Sequence, residues 1–321
     1  MPFHPIFAAT GAAMLPLLGA YPVSALQDAA PGVSQTEVVE VQKDLNLRMT
    51  VPVHIADNGP FHFLIDTGAE RTVLSRDVAS QLKLTPVSKG TLIGIAGSQA
   101  VDIVDVDQID LGRRSFYGLS APLLDEANIG ADGIIGLDSL QGQRVLLDFD
   151  HNRMAIGDAH DLGGNYGYEI VVRARRQSGQ LIMTNALVDG VRTDVIIDTG
   201  AETSIGNVAL QTALRKRHPD MQTQLISVTG QQITAGVGMA RRLELGGLTL
   251  TNTVIAFAAA PPFEKLGLDK RPALLLGMTQ LRLFHRVAID FDSRKVMFDL
   301  PDDAMASTRR NIGSRLLDTG Y

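Results

Sequence analysis

The sequence predicts a mostly β protein made of two tandem copies of one small closed β-structure, each copy carrying one short helix. Three observations predict it. An eight-residue segment recurs 132 positions later, apolar residues alternate with a period of two, and turn-forming dipeptides separate the alternating runs.

The repeat comes first because it organises everything else. Phe63-Leu64-Ile65-Asp66-Thr67-Gly68-Ala69-Glu70 returns as Val195-Ile196-Ile197-Asp198-Thr199-Gly200-Ala201-Glu202. Gly97 matches Gly230 at an offset of 133, and Leu111-Gly112 matches Leu245-Gly246 at 134. Gly136 matches Gly277 at 141, and Asp148-Phe149-Asp150 matches Asp290-Phe291-Asp292 at 142. The growth between the later pairs places an insertion in the second copy around Ala258 to Ala273, whose prolines and charges predict a loop. Gly157, Gly163, Gly164 and Gly167 cluster between the copies, so the expected division is 26–160 and 165–301, with a mobile polar tail over 302–321.

Within each copy the strands follow from pattern. Met49, Val51, Val53 and Ile55 alternate with more polar positions, and Phe61, Phe63 and Ile65 lead into Asp66 in the same way. Asp57-Asn58-Gly59 and Asp189-Gly190 are hairpin turn signals. Ser75 is a candidate N-cap for a helix with Val78, Ala79 and Leu82 on one face, and Asn207 for one with Val208, Leu210, Ala213 and Leu214. A strand pair around Gly94-Ile95-Ala96-Gly97-Ser98, or around Val228-Thr229-Gly230-Gln231, follows each helix as a projecting hairpin. An apolar run then closes on Gly136 or Gly277.

Composition excludes several classes of function. The net charge is −6 with no dominant basic stripe, so nucleic-acid binding has no electrostatic basis, and Arg215-Lys216-Arg217 reads as a solvated helix end before Pro219. Without cysteine there is no disulfide, no thiolate nucleophile and no Cys-based zinc site. The first 25 residues contain no Asp, Glu, Lys or Arg, and the apolar stretch Ile6 to Ala20 leads to Val23-Ser24-Ala25. That pattern predicts a signal peptide over 1–25, a mature chain from Leu26, and an exported protein, periplasmic or secreted; the alternative is a retained anchor. No later segment is long and apolar enough to span a bilayer.

The chemistry rests on Asp66 and Asp198. An Asp at the end of an apolar strand, followed by Thr and Gly, holds a carboxylate in a partly dry place. The Gly allows a tight turn and close approach, while its N–H and the Thr side chain can orient the carboxylate. Two such carboxylates face to face can share one proton, one serving as base toward water and the other donating to a carbonyl.

A lone Asp-Thr-Gly arises by chance in on the order of one chain in fifteen of this size. Asp318-Thr319-Gly320, without the supporting landmarks, is read as such a coincidence. The repeated Ile-Asp-Thr-Gly-Ala-Glu with its downstream partners is specific. On Leu64-Ile65-Asp66-Thr67-Gly68-Ala69 with Ile134-Ile135-Gly136, and Ile196-Ile197-Asp198-Thr199-Gly200-Ala201 with Leu275-Leu276-Gly277, the chain resembles the retropepsin-like aspartic peptidases over about residues 40 to 300.

That resemblance implies two closed β-barrel domains related by pseudo-twofold symmetry, the second half of the site being supplied by the same chain. It implies catalysis by Asp66 and Asp198, cross-linking of their loops by Thr67 and Thr199, support from Gly68 and Gly200, and flaps with Gly97 and Gly230 near their tips. The substrate would be a peptide or protein and the enzyme a monomeric endopeptidase, most active on the acid side of neutrality. Neither hairpin has the tyrosine of a pepsin-like flap, and Glu70 and Glu202 stand where retroviral enzymes usually carry an Asp that holds substrate backbone. These glutamates are read either as substrate contacts or as structural ion pairs.

No cofactor is implied, since an aspartate pair with water needs none. The seven histidines show no ligand-like clustering, and a meeting of His54 and His62 across the first hairpin is the one arrangement that would suggest a metal. The rival reading is a non-catalytic protein that binds a peptide or envelope ligand in the same cleft; two intact motifs argue against it, because a binder gains nothing from burying two like charges. A hard-cation site would want further carboxylates beside Asp66 and Asp198.

Overall fold

The computed structural model describes residues 37–40, 42–43, 49–112, 114–214 and 221–300, within one compact unit. The expected signal peptide over 1–25, Arg215-Lys216-Arg217, the tail 302–321 and its Asp318-Thr319-Gly320 lie outside the described residues.

The first copy contains β1 (Glu37–Glu40), β2 (Gln42–Lys43), β3 (Met49–Ile55), β4 (Asn58–Ile65), β5 (Val73–Ser75) and α1 (Arg76–Gln81). It continues with β6 (Ser88–Gly94), β7 (Gly97–Leu111), β8 (Arg114–Leu124), α2 (Glu126–Ile129), β9 (Gly133–Ile135), α3 (Leu137–Leu140), β10 (Arg144–Asp148) and β11 (Arg153–Gly157). The second contains β12 (Ile170–Arg173), β13 (Arg175–Gln177), β14 (Gln180–Val188), β15 (Val191–Ile197), β16 (Ile205–Gly206) and α4 (Val208–Ala213). It continues with β17 (Met221–Ile226), β18 (Gln232–Leu245), β19 (Leu248–Phe257), α5 (Pro261–Lys265), β20 (Ala273–Leu276), α6 (Met278–Leu281), β21 (Arg286–Asp290) and β22 (Lys295–Asp299).

The protein is mostly β, and each copy closes on itself. In the first, the order β3-β4-β9-β5-β8-β7 returns to β3, where His54 and Ile55 pair with Asp110 and Ile109. In the second, β14-β15-β20-β16-β19-β18 returns to β14, where Leu187 and Val188 pair with Glu244 and Leu243. Closure leaves no open edge along the barrel wall. The predicted period-2 run points inward: Met49, Val51, Val53 and Ile55 are all buried, each contributing about 1.5–3 kcal/mol if fully withdrawn from water.

The turns and helices follow local chemistry, with corrections. Asp189-Gly190 forms the two-residue turn between β14 and β15, both residues left-handed at φ 46° and 83°. The first hairpin turns one step earlier than predicted, at Ala56-Asp57, because the Asn58 amide donates to the Ala56 carbonyl at 2.8 Å and so stabilises the left-handed pair. Ser75 caps α1 through Val78 N–H (3.1 Å) and Asn207 caps α4 through Leu210 N–H (2.8 Å), as predicted. The predicted apolar face of α4 holds in part: Leu210 is buried in the core and Leu214 packs against it, whereas Val208 and Ala213 are exposed. The cap adds a second anchor, since the buried Asn207 amide donates to the Leu268 and Arg271 carbonyls, both at 2.7 Å.

The insertion is also more than a loop. Pro261 and Pro262 open α5, their fixed φ suiting a first helical turn, and Phe263, Leu266 and Leu268 bury themselves against Ile182, Ile196 and Leu275. Two further single-turn helices in each copy, α2 and α3 or α5 and α6, accompany the predicted one.

The copies are joined by a third sheet, ordered β1-β11-β10-β21-β22-β12. At its centre β10 and β21 run antiparallel with Arg144 opposite Asp290, Leu146 opposite Ala288 and Asp148 opposite Arg286. Because Asp148 and Asp290 are repeat equivalents, this register places the pseudo-twofold axis between Leu146 and Ala288. The Arg144 guanidinium is fully buried and donates to Asp290 at 2.7 Å, to Asn165 Oδ1 at 2.7 Å and to the Gly164 carbonyl.

Candidate active site

Each aspartate ends an apolar strand that pairs in parallel with the apolar-apolar-Gly strand of its own copy. Asp66 N–H donates to the Ile135 carbonyl at 3.1 Å, and Asp198 N–H to Leu276 at 3.0 Å. The chain then turns back on the carboxylate: Asp66 Oδ1 accepts from Gly68 N–H (2.7 Å) and Ala69 N–H (3.0 Å). Asp198 Oδ1 accepts from Gly200 N–H (3.0 Å) and Ala201 N–H (3.1 Å). One oxygen of each carboxylate is thereby fixed by its own loop, and both carboxylates line the cleft.

The threonines lock the two loops together. Thr67 Oγ1 donates to the Ile197 carbonyl at 2.8 Å, and Thr199 Oγ1 to the Ile65 carbonyl at 2.7 Å. Each hydroxyl also accepts the other threonine's N–H, at 3.0 Å and 3.2 Å. Four buried backbone groups are thus satisfied across the copies, where each left unpaired would cost about 1–3 kcal/mol.

Gly68 and Gly200 are required by space. A Cβ on Gly200 would lie 2.3 Å from Asp66 Cγ, and one on Gly68 would lie 2.8 Å from Asp198 Oδ1. Each loop's glycine therefore lets the opposite carboxylate come close. Burial first, and then the neighbouring Asp66 charge, push the Asp198 carboxyl up to about 8, against the opposing pull of the Gly200 and Ala201 N–H groups. Two carboxylates this close cannot both ionise cheaply, so the pair retains a proton where isolated aspartates would have lost theirs.

Beneath the loops lies a support that sequence reasoning missed. Gly136 N–H donates to Thr72 Oγ1 at 3.2 Å, and that hydroxyl donates to Asp138 at 2.7 Å. In the second copy Gly277 N–H donates to Ser204 Oγ at 3.0 Å, and Ser204 donates to Gln280. The signal was present in the repeat, since a hydroxyl residue stands six positions after each aspartate.

The β6–β7 and β17–β18 hairpins cover the site and touch. Gly97 and Gly230 lie at their tips with φ 149° and 77°, in the region that favours glycine. Gln231 Nε2 donates to the Ser98 carbonyl at 3.4 Å, and a Cβ on Gly94 would collide with Ser227 Oγ. Ile95 crosses onto the cluster of Phe263 and Leu275, while Val228 crosses onto that of Leu124, Ile129 and Ile134. Below them is a cleft of about 1170 Å³ lined by Asp66, Asp198, both loops and both hairpins.

Glu70 and Glu202 part company. Glu70 is paired with Lys265 Nζ at 2.6 Å, whereas Glu202 is exposed. His62 lies 3.8 Å from Asp132 through Nδ1, and among the described residues no group of His, Asp and Glu is arranged to hold a metal ion.

Paired barrels that each deliver an Asp-Thr-Gly loop to one cleft under two hairpins define a retropepsin-like protein in single-chain, tandem form. The chain belongs to the aspartyl protease family, which it matches twice, over residues 51–139 and 184–279. No curated protein matches the chain.

Proposed function

We propose that this chain is an aspartic endopeptidase in which Asp66 and Asp198 share one proton and activate a water between them. The observation that carries the reading is the close approach of two carboxylates, one buried and pushed up to about 8, in a cleft of about 1170 Å³. The ionised member takes a proton from the water, whose oxygen bonds to the scissile carbonyl carbon, while the protonated member gives its proton to the carbonyl oxygen. Collapse of the tetrahedral species breaks the C–N bond, and a proton returned from the pair leaves with the amine.

Activity should be bell-shaped in pH. The acid limb is uptake of a second proton and the alkaline limb is loss of the shared one, so neither belongs to a single residue. The raised carboxyl extends the one-proton state upward to neutrality. The enzyme is read as a monomer that completes its site within one chain, and as exported after cleavage near Ala25, which N-terminal sequencing from the native host tests. Incubating the chain with a mixed peptide library, with and without a pepstatin-type inhibitor, tests the activity. Inhibitor-sensitive cleavage supports it, and binding without cleavage favours the ligand-binding alternative.

A further inference from the structure

The two carboxylates are related by the pseudo-twofold axis, but the charges flanking them are not. On the Glu70 side the cleft is lined by Glu70, Arg71 and Lys265; at the equivalent positions of the second loop stand Glu202 and Thr203. The difference comes from the helices that follow β8 and β19. In the second copy the insertion builds α5, which carries Lys265 across to Glu70 at 2.6 Å. In the first copy the equivalent helix α2 places Asn128 beside the flap at Gly230, and it brings no cation to Glu202. Arg71 and Lys265 are the cations lining the cleft among the described residues, so one end carries a net positive charge and the other a net negative one.

We propose that the cleft selects peptides bearing opposite charges on either side of an apolar centre, the acidic residue seated by Arg71 and Lys265 and the basic residue by Glu202. The apolar centre is matched by the clusters under the hairpin tips, with Ile95 and Leu225 over one and Leu92 and Val228 over the other. The inference deepens the peptidase reading and rests on it. Both ends are open to solvent, so each matched charge is worth a few-fold, and the selectivity weakens with salt.

The test uses four peptides that share one apolar centre and differ only at the two flanking positions: Glu and Lys, Lys and Glu, Glu and Glu, Lys and Lys. Cleavage is followed with the full chain, and binding by calorimetry with the Asp198→Asn chain. The better of the two mixed peptides should exceed both like-charged ones by roughly three- to tenfold. Lys265→Glu makes both ends negative and should move the preference to the Lys and Lys peptide. Glu202→Lys makes both ends positive and should move it to the Glu and Glu peptide. Lys265→Met and Glu202→Gln, which keep the side-chain shape, should each reduce the discrimination if a reversal variant folds poorly. Equal handling of all four peptides, or a preference untouched by every substitution, overturns the proposal. Cleavage without charge preference would refute it while sustaining the peptidase reading; charge-selective binding without cleavage would sustain it and refute that reading.

Discussion

Replacing Asp198 by Asn should abolish cleavage and, at neutral pH, stabilise the protein. In the folded chain Asp198 is 8% exposed and its carboxyl is pushed from 3.8 to about 8 by burial and by Asp66. The folded state therefore binds more protons than the unfolded state between those values, and stability falls as pH rises through that window. At pH 7 the unfolded Asp is ionised and the folded one protonated, a burden of about 4 kcal/mol at most, taking ~1.4 kcal/mol per pH unit above the unfolded value. Asn reproduces the neutral acid: its Oδ1 still accepts from Gly200 and Ala201 N–H, and its Nδ2 replaces the proton directed at Asp66. Thermal unfolding of the variant and the parent should differ by up to about 16 °C at pH 7, taking roughly 2–4 °C per kcal/mol, the range for domains of about 150–250 residues. The difference should vanish near pH 3, where both states of the parent are protonated. A variant no more stable than the parent at pH 7, or one whose advantage does not shrink on acidification, would refute the argument that a buried, like-charge pair dominates this site.

Other perturbations test separate parts of the structure. Gly200→Ala, whose Cβ would meet Asp66 Cγ, should cost at least a hundredfold in kcat, read by peptide cleavage alongside circular dichroism that remains native. Thr199→Val should leave Thr67 N–H and the Ile65 carbonyl unpaired and cost about 2–5 kcal/mol in chemical denaturation, while Thr199→Ser should recover most of it. Arg144→Met should cost about 3–5 kcal/mol by stranding buried Asp290, and Arg144→Met with Asp290→Leu should be closer to the parent than the single variant is. Mixing the inactive Asp66→Asn and Asp198→Asn chains should restore no cleavage, because each chain builds its own site; recovered activity would point to exchange between chains.

What could be read in the chain of letters was what short-range physics specifies. Alternation buried Met49, Val51, Val53 and Ile55, Ser75 and Asn207 capped the helices, and the repeat put Asp66 and Asp198 at equivalent strand ends. Even the missed hydroxyls, Thr72 and Ser204, were legible in the repeat once their partners were known. Tertiary structure alone decided which distant segments meet. Arg144 pairs with Asp290 across 146 residues, in a sheet that neither copy could form by itself. Lys265 reaches Glu70 across 195 residues, which breaks the symmetry that the duplicated motif suggests. Periodicity and capping act over a few residues and leave their mark in local sequence. A close approach between loops of different barrels depends on how two closed surfaces dock, and a charge inserted in one loop shows its partner only after that docking.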